Sequence, residues 1–82
     1  MKLPRDISGE ELARLLRRVG YEVVRQTGSH MRLRCAAHDA EHHVTIPAHP
    51  QLKIGTLSAV LGEVAAYLKV DRAELLRRLF GG

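Results

Sequence analysis

The sequence predicts an α+β fold: a three-stranded antiparallel sheet with helices packed on one face, in the order α-β-β-β-α-α. Three observations carry the prediction. A Ser-x-x-Glu signature opens an amphipathic helical stretch. Three short runs follow that are rich in β-formers or alternate strictly between polar and apolar residues. Two further stretches then return to helical spacing.

The first helix is predicted over residues 9–19. Ser8 and Glu11 have the spacing of a capping box, and Ile7 and Leu12 that of the accompanying hydrophobic staple. Leu12, Leu15, Leu16 and Val19 form its apolar stripe, and Gly20 suits the stop. Residues 21–27 read as the first strand. Gly28-Ser29 reads as a two-residue turn of type II′, with glycine in the first central position. His30–Cys35 alternates: His30, Arg32 and Arg34 on one face, Met31, Leu33 and Cys35 on the other. After a polar loop, residues 36–41, His42–Pro47 gives a third strand with Val44 and Ile46 as its apolar face. The second helix starts near residues 54–56, with the stripe Leu57, Val60, Leu61, Val64 and Leu68. Asp71 opens a short third helix, residues 72–80, with Val70 and Leu75 spaced as a staple and Gly81-Gly82 at its end.

If Gly28-Ser29 is the turn, the pairing follows by counting. Thr27 faces His30, Gln26 faces Met31, Arg25 faces Arg32 and Val24 faces Leu33. The next hairpin sets Leu33 beside Val44 and Arg34 beside His43. One face is then Val24, Met31, Leu33, Val44 and Ile46. The other gathers Arg25, His30, Arg32, Arg34, His43 and Thr45. A slip of one residue would invert both faces, so the register is strongly specified. The helices must cover the apolar face, leaving the His30 face open.

An 82-residue chain forms one domain: here residues 1–82, with a core over about 8–68 and an added helix at about 72–80. No run of about 18 apolar residues is present to span a membrane. The stretch MKLPRDISGE lacks the apolar segment of a signal peptide. With the lone Cys35, which argues against a disulfide framework, these features point to the cytoplasm. The net charge is +4, and no acid lies between Val23 and His38 while Arg25, Arg32 and Arg34 do. That asymmetry points to an anionic partner. Cys35, His38, His42 and His43 have a spacing that invites a zinc reading, but no second cysteine pair is present and Cys35 is on the core face. The segment therefore reads as a polar hairpin loop, with no metal and no cofactor. Tyr21 and Phe80 are too few for a base-stacking platform and read as core.

Four pieces of the sequence, Val19-Gly20-Tyr21, Gly28-Ser29-His30, Ile46-Pro47-Ala48-His49 and Lys53-Ile54-Gly55-Thr56-Leu57, together resemble the HicA family, the toxin half of a bacterial and archaeal toxin–antitoxin pair. The resemblance spans roughly residues 8–68. It implies a fold like that of double-stranded-RNA-binding domains, endoribonuclease activity on messenger RNA, and neutralisation by a HicB-type antitoxin. It maps the family's catalytic histidine to His30. The tail, residues 69–82, is longer than the compact ending of the family.

The chemistry fits the residues. RNA carries its own nucleophile, the 2′-hydroxyl, so cleavage needs a base, a proton donor for the departing 5′-oxygen, and positive charge at the phosphorane. An imidazole suits the base, and neighbouring guanidinium groups favour its neutral form. His30 is assigned that role. Arg25 and Arg32 are placed to bind the phosphate, Gly28 to let a strand approach closely, and Ser29 to offer a hydroxyl or an amide. Lys53 is a further phosphate contact. His43, His49 and Lys53 are the candidates for the leaving-group acid. Two other classes compete: a non-catalytic RNA-binding module of the same fold, and a protein-interaction domain with a cationic face. Lys53 stands almost alone at the start of its helix, which counts against the first.

Overall fold

A computed structural model of the chain describes residues 6–38 and 40–81. The elements are α1 (Gly9–Leu16), a 3₁₀ turn (Arg17–Val19), β1 (Glu22–Gln26), β2 (His30–Cys35), β3 (His42–Pro47), α2 (Ile54–Leu68) and α3 (Arg72–Phe80). The three strands form one antiparallel sheet in the order β1-β2-β3. No helix among the described residues is long and apolar enough to cross a membrane.

The capping box is formed. Ser8 Oγ accepts from the Glu11 amide (3.0 Å), and Glu11 Oε1 accepts from the Ser8 amide (3.1 Å). The predicted helix over residues 9–19 is divided, however. The α-helix ends at Leu16, and a tighter 3₁₀ turn carries the chain to Gly20, whose φ of 101° lies in the left-handed region glycine favours. Tyr21 is buried just before β1 rather than inside it.

The pairing of β2 with β3 follows the counted register, including Leu33 with Val44 and Arg34 with His43. In β1 the count holds for Gln26 with Met31 and Arg25 with Arg32, then fails. Val23, not Val24, faces Leu33, and Glu22 faces Arg34, because one residue bulges between Val23 and Arg25. Val24 is therefore 46% exposed instead of joining the apolar face, and Val23 packs against the core in its place. The extra residue also turns Glu22 onto the open face. The turn differs as well. Gly28 does not adopt the positive φ that type II′ requires. The Thr27 amide donates to His30 O (2.9 Å), while Thr27 Oγ1 accepts from the His30 amide (3.2 Å).

Leu12, Leu16, Leu33, Ile46, Leu57, Leu61 and Val64 are fully buried, so α1 and α2 close one face of the sheet. Burial of each such side chain contributes about 1.5–3 kcal/mol. The third helix completes this core, with Leu75, Leu76 and Leu79 inside it. Arg18 Nη1 donates to Leu79 O (2.9 Å) and Arg72 Nη2 to Ser58 O (3.1 Å), tying α3 to the turn after α1 and to α2. Phe80, expected in the core, is 40% exposed, because burial on this short helix stops at Leu79. Asp71 caps α3 by accepting from the Glu74 amide (2.8 Å).

Between α2 and α3, Lys69 sits at φ 60°, ψ 40°, and its amide donates to Ala65 O and Ala66 O. Glycine is the residue this helix ending favours. Lys69→Gly is expected to stabilise the fold by about 0.5–1 kcal/mol, raising the melting temperature by roughly 2–6 °C in thermal unfolding.

Candidate functional site

The site is built where four segments meet at one end of the molecule. The turn holding Gly28 and Ser29 is joined to the end of β3, because Ala48 N–H donates to Ser29 O (2.9 Å) and His30 pairs with Pro47. The end of β3 is joined to the start of α1, because Gly9 N–H donates to His49 O (3.0 Å). The approach to α2 is joined to the same place, because Leu52 N–H donates to Ile7 O (2.8 Å). The turn, His49, and the N-termini of α1 and α2 therefore share one end. Strand alternation places His30 on the open side there, opposite to buried Met31.

His30 is exposed, and its Nδ1 lies 3.0 Å from Ser29 Oγ. When Nδ1–H donates to that hydroxyl, Nε2 is left bare, which is the tautomer a proton acceptor needs. Gly28 is open: a β-carbon there would meet nothing within 4 Å. Neither the φ of Gly28 nor its surroundings require glycine. Two hollows of about 360 and 350 Å³ lie elsewhere, one between α1 and β1 beside Arg14, Arg17 and Val23, the other beside His38 and Tyr67. His30 lines neither.

The charge of the open face is uneven. Arg34 is neutralised by Glu22 (2.8 Å) and Glu41 (3.1 Å), and these hydrogen bonds hold its guanidinium firmly protonated. Arg25 and Arg32 have no carboxylate partner among the described residues. They face one another across β1 and β2. The uncompensated positive charge of the face thus belongs to the Arg25–Arg32 rung, two residues along β2 from His30. The two acids were invisible in the acid-free stretch itself; strand pairing and the hairpin loop bring them in from either side.

Lys53 is exposed at the N-cap of α2, where no side chain caps the helix and no acid occupies the first turn. It shares the His30 end, as does exposed His49. His43 does not. The Arg34–His43 rung is four residues along β2 from the His30–Pro47 rung, about 13 Å of strand. Both His43 ring nitrogens are also engaged, Nδ1 by Arg32 Nε (3.1 Å) and Nε2 by Glu41 (3.2 Å). Of the three, His49 and Lys53 lie at the His30 end and His43 does not.

Cys35 and His43 turn to separate partners, while His38 and His42 share Tyr67. Cys35 Sγ is buried against Val19 O (3.9 Å). His42 Nδ1 is 2.6 Å from the Tyr21 hydroxyl, and its ring stacks on Tyr67 (5.0 Å, 17°). Burial, chiefly, pushes the Tyr21 phenol up, so its hydroxyl stays protonated while it shares this hydrogen bond with His42 Nδ1. Tyr67 also holds the hairpin loop, accepting from the His38 amide (3.0 Å) and donating to Ala40 O (2.6 Å). This clamp was missed in the sequence. Tyr67 lies on the α2 stretch beside the apolar stripe, which gave it no separate signal.

The model of the family described as HicA toxin of bacterial toxin-antitoxin matches residues 9–65. Comparison with curated proteins and with solved structures finds no match. The family match covers α1 through most of α2 and stops before α3.

Proposed function

The chain belongs to the HicA family of toxins of bacterial toxin–antitoxin pairs, and from that premise we propose that it is a metal-independent endoribonuclease that cleaves messenger RNA. The observation that carries the reading is the exposed His30 ring, oriented by Ser29 at the end of a sheet face whose uncompensated charges are Arg25 and Arg32. His30 Nε2 takes the proton of a ribose 2′-hydroxyl, and the oxygen attacks the adjacent phosphorus. Arg25 and Arg32 offset the charge that grows on the non-bridging oxygens. The 5′-oxygen leaves with a proton supplied from the same end, where His49 and Lys53 stand. Gly28 leaves room for the backbone of the strand, and Ser29 fixes the tautomer of the base. Single-stranded RNA is the substrate, because a splayed strand lets the 2′-oxygen align in line with the leaving group. A HicB-type antitoxin neutralises the toxin by covering this face.

The reaction predicts its own product ends. Cleavage is expected to leave a 2′,3′-cyclic phosphate and a 5′-hydroxyl, to persist in a metal chelator, and to vanish in an oligonucleotide with 2′-deoxyribose throughout. Gel analysis of end-labelled RNA reads all three. A 5′-phosphate product, or cleavage of the deoxy substrate, would sink the reading, since either needs a nucleophile other than the 2′-hydroxyl.

A further inference from the structure

Five side chains form a continuous line across the open face. Arg34 Nη2 donates to Glu22 (2.8 Å) and Arg34 Nη1 to Glu41 Oε1 (3.1 Å). Glu41 Oε2 lies 3.2 Å from His43 Nε2, and Arg32 Nε donates to His43 Nδ1 (3.1 Å). The polarity of this line is determined by its ends. A guanidinium only donates, so His43 Nδ1 is the bare acceptor and the ring proton sits on Nε2, where it donates to Glu41. That bond, and after it the one from Arg34, holds the Glu41 carboxyl below the usual carboxylate range, keeping it an acceptor at neutral pH. The line ends at Arg32. Its Nε is engaged, while its two terminal amino groups have no hydrogen-bond or ion-pair partner among the described residues. Arg32 faces Arg25 across the strand pair and stands two residues from His30 on the same face.

We propose that His43 is a positioning residue for a phosphate of the bound RNA: by holding Arg32 at Nε, it presents the two terminal amino groups of that guanidinium to a phosphate of the strand lying across the open sheet face. The inference rests on the nuclease reading for the identity of the ligand. Its physical basis is preorganisation. A free surface arginine loses rotamer freedom when it binds, and a guanidinium already fixed at one nitrogen loses less. The remaining fork still matches two phosphate oxygens. The hold belongs to the neutral ring, because a protonated His43 has no lone pair for Arg32 and sets a like charge beside it. The charged groups around the ring are Arg32 and Arg34 from β2 and Glu41 from the hairpin loop. Glu22 reaches it through Arg34, and Arg25 through Arg32.

The test is a double-mutant cycle in the His30→Ala background, so that cleavage does not consume the probe. Binding of a short fluorescein-labelled single-stranded RNA is read by anisotropy at neutral pH. His43→Leu is expected to weaken binding about fivefold to tenfold. His43→Asn, whose Oδ1 takes the place of Nδ1 and accepts from Arg32, is expected to restore most of it. Arg32→Ala is expected to weaken binding at least as much, and adding His43→Leu to it to weaken binding no further. Nitrogen-15 spectra of the unmutated chain are expected to show the Arg32 Nε–H hydrogen-bonded to His43 Nδ1, a signal that His43→Leu shifts. Parental binding by His43→Leu, independent addition of the two substitutions, or no RNA binding at all would each overturn the proposal. A coupled cycle in a chain that does not cleave RNA sustains the role of His43 and overturns the nuclease reading; an uncoupled cycle in a chain that cleaves does the reverse.

Discussion

His30→Ala is expected to lower the rate of RNA cleavage about 10²–10⁴-fold, the range that removal of a general base commonly costs. Thermal stability is expected to stay within about 3 °C of the parent. The separation of the two effects follows from where the ring sits. It is exposed, and its one hydrogen bond among the described residues is to the neighbouring Ser29 hydroxyl. The strand is held by backbone pairing and by the buried side chains Met31, Leu33 and Cys35, none of which the substitution touches. RNA affinity is expected to persist, since Arg25 and Arg32 remain. Cleavage within about tenfold of the parent would remove His30 from the role of base, since water supplies only the low end of general-base efficiency. Ser29→Ala serves as the companion variant. It keeps the imidazole but frees its tautomer, so its loss of rate is expected to be smaller than that of His30→Ala.

Gly9→Ala is expected to destabilise the fold by about 2–4 kcal/mol, a drop in melting temperature of roughly 10–25 °C. A β-carbon at Gly9 would stand 2.0 Å from Pro47 O, 3.0 Å from Pro47 C and 3.2 Å from Ala48 Cα. These are backbone atoms, which cannot rotate aside. Relief requires α1 to lift from the end of β3, which breaks the bond from Gly9 N–H to His49 O and loosens Leu12 and Ile46 in the core. The same lift would displace the end of the molecule that carries the site, so cleavage is expected to fall even at temperatures where the variant is folded. Gly28→Ala is the contrasting case. Open space surrounds it, so its melting temperature is expected to stay within about 3 °C of the parent. Differential scanning calorimetry of the two variants decides the point. Equal stability in both would show that the close approach of α1 to Pro47 is not a feature of the protein in solution.

The face that carries His30 was readable because the β-strand period of two leaves few choices. Once His30, Arg32 and Arg34 alternate with Met31, Leu33 and Cys35, burying one set exposes the other. The same logic misassigned Val24. Counting assumes that every residue advances the ladder, and the bulge between Val23 and Arg25 takes one residue out of the count. No local feature marks it, because Val23 and Val24 are chemically the same. The bulge then sets the electrostatics. It turns Glu22 toward Arg34, which neutralises that arginine and leaves Arg25 and Arg32 as the free charges. The hold of His43 on Arg32 was likewise out of reach of rung-by-rung counting, since the two residues are diagonal neighbours, with Thr45 opposite Arg32 and Arg34 opposite His43.

The sequence by itself determined the order of elements, the capping box at Ser8, the alternation that exposes His30, and membership of a toxin family through motifs spread along the chain. These depend on short-range spacing, which is written directly in neighbouring residues. Only the tertiary structure decided which arginines remain uncompensated, which histidines share an end with His30, and that α3 closes the toxin's own core rather than projecting from it. Those outcomes depend on contacts between residues far apart in the chain, and the geometry of such contacts exists only once the strands have paired and the helices have docked.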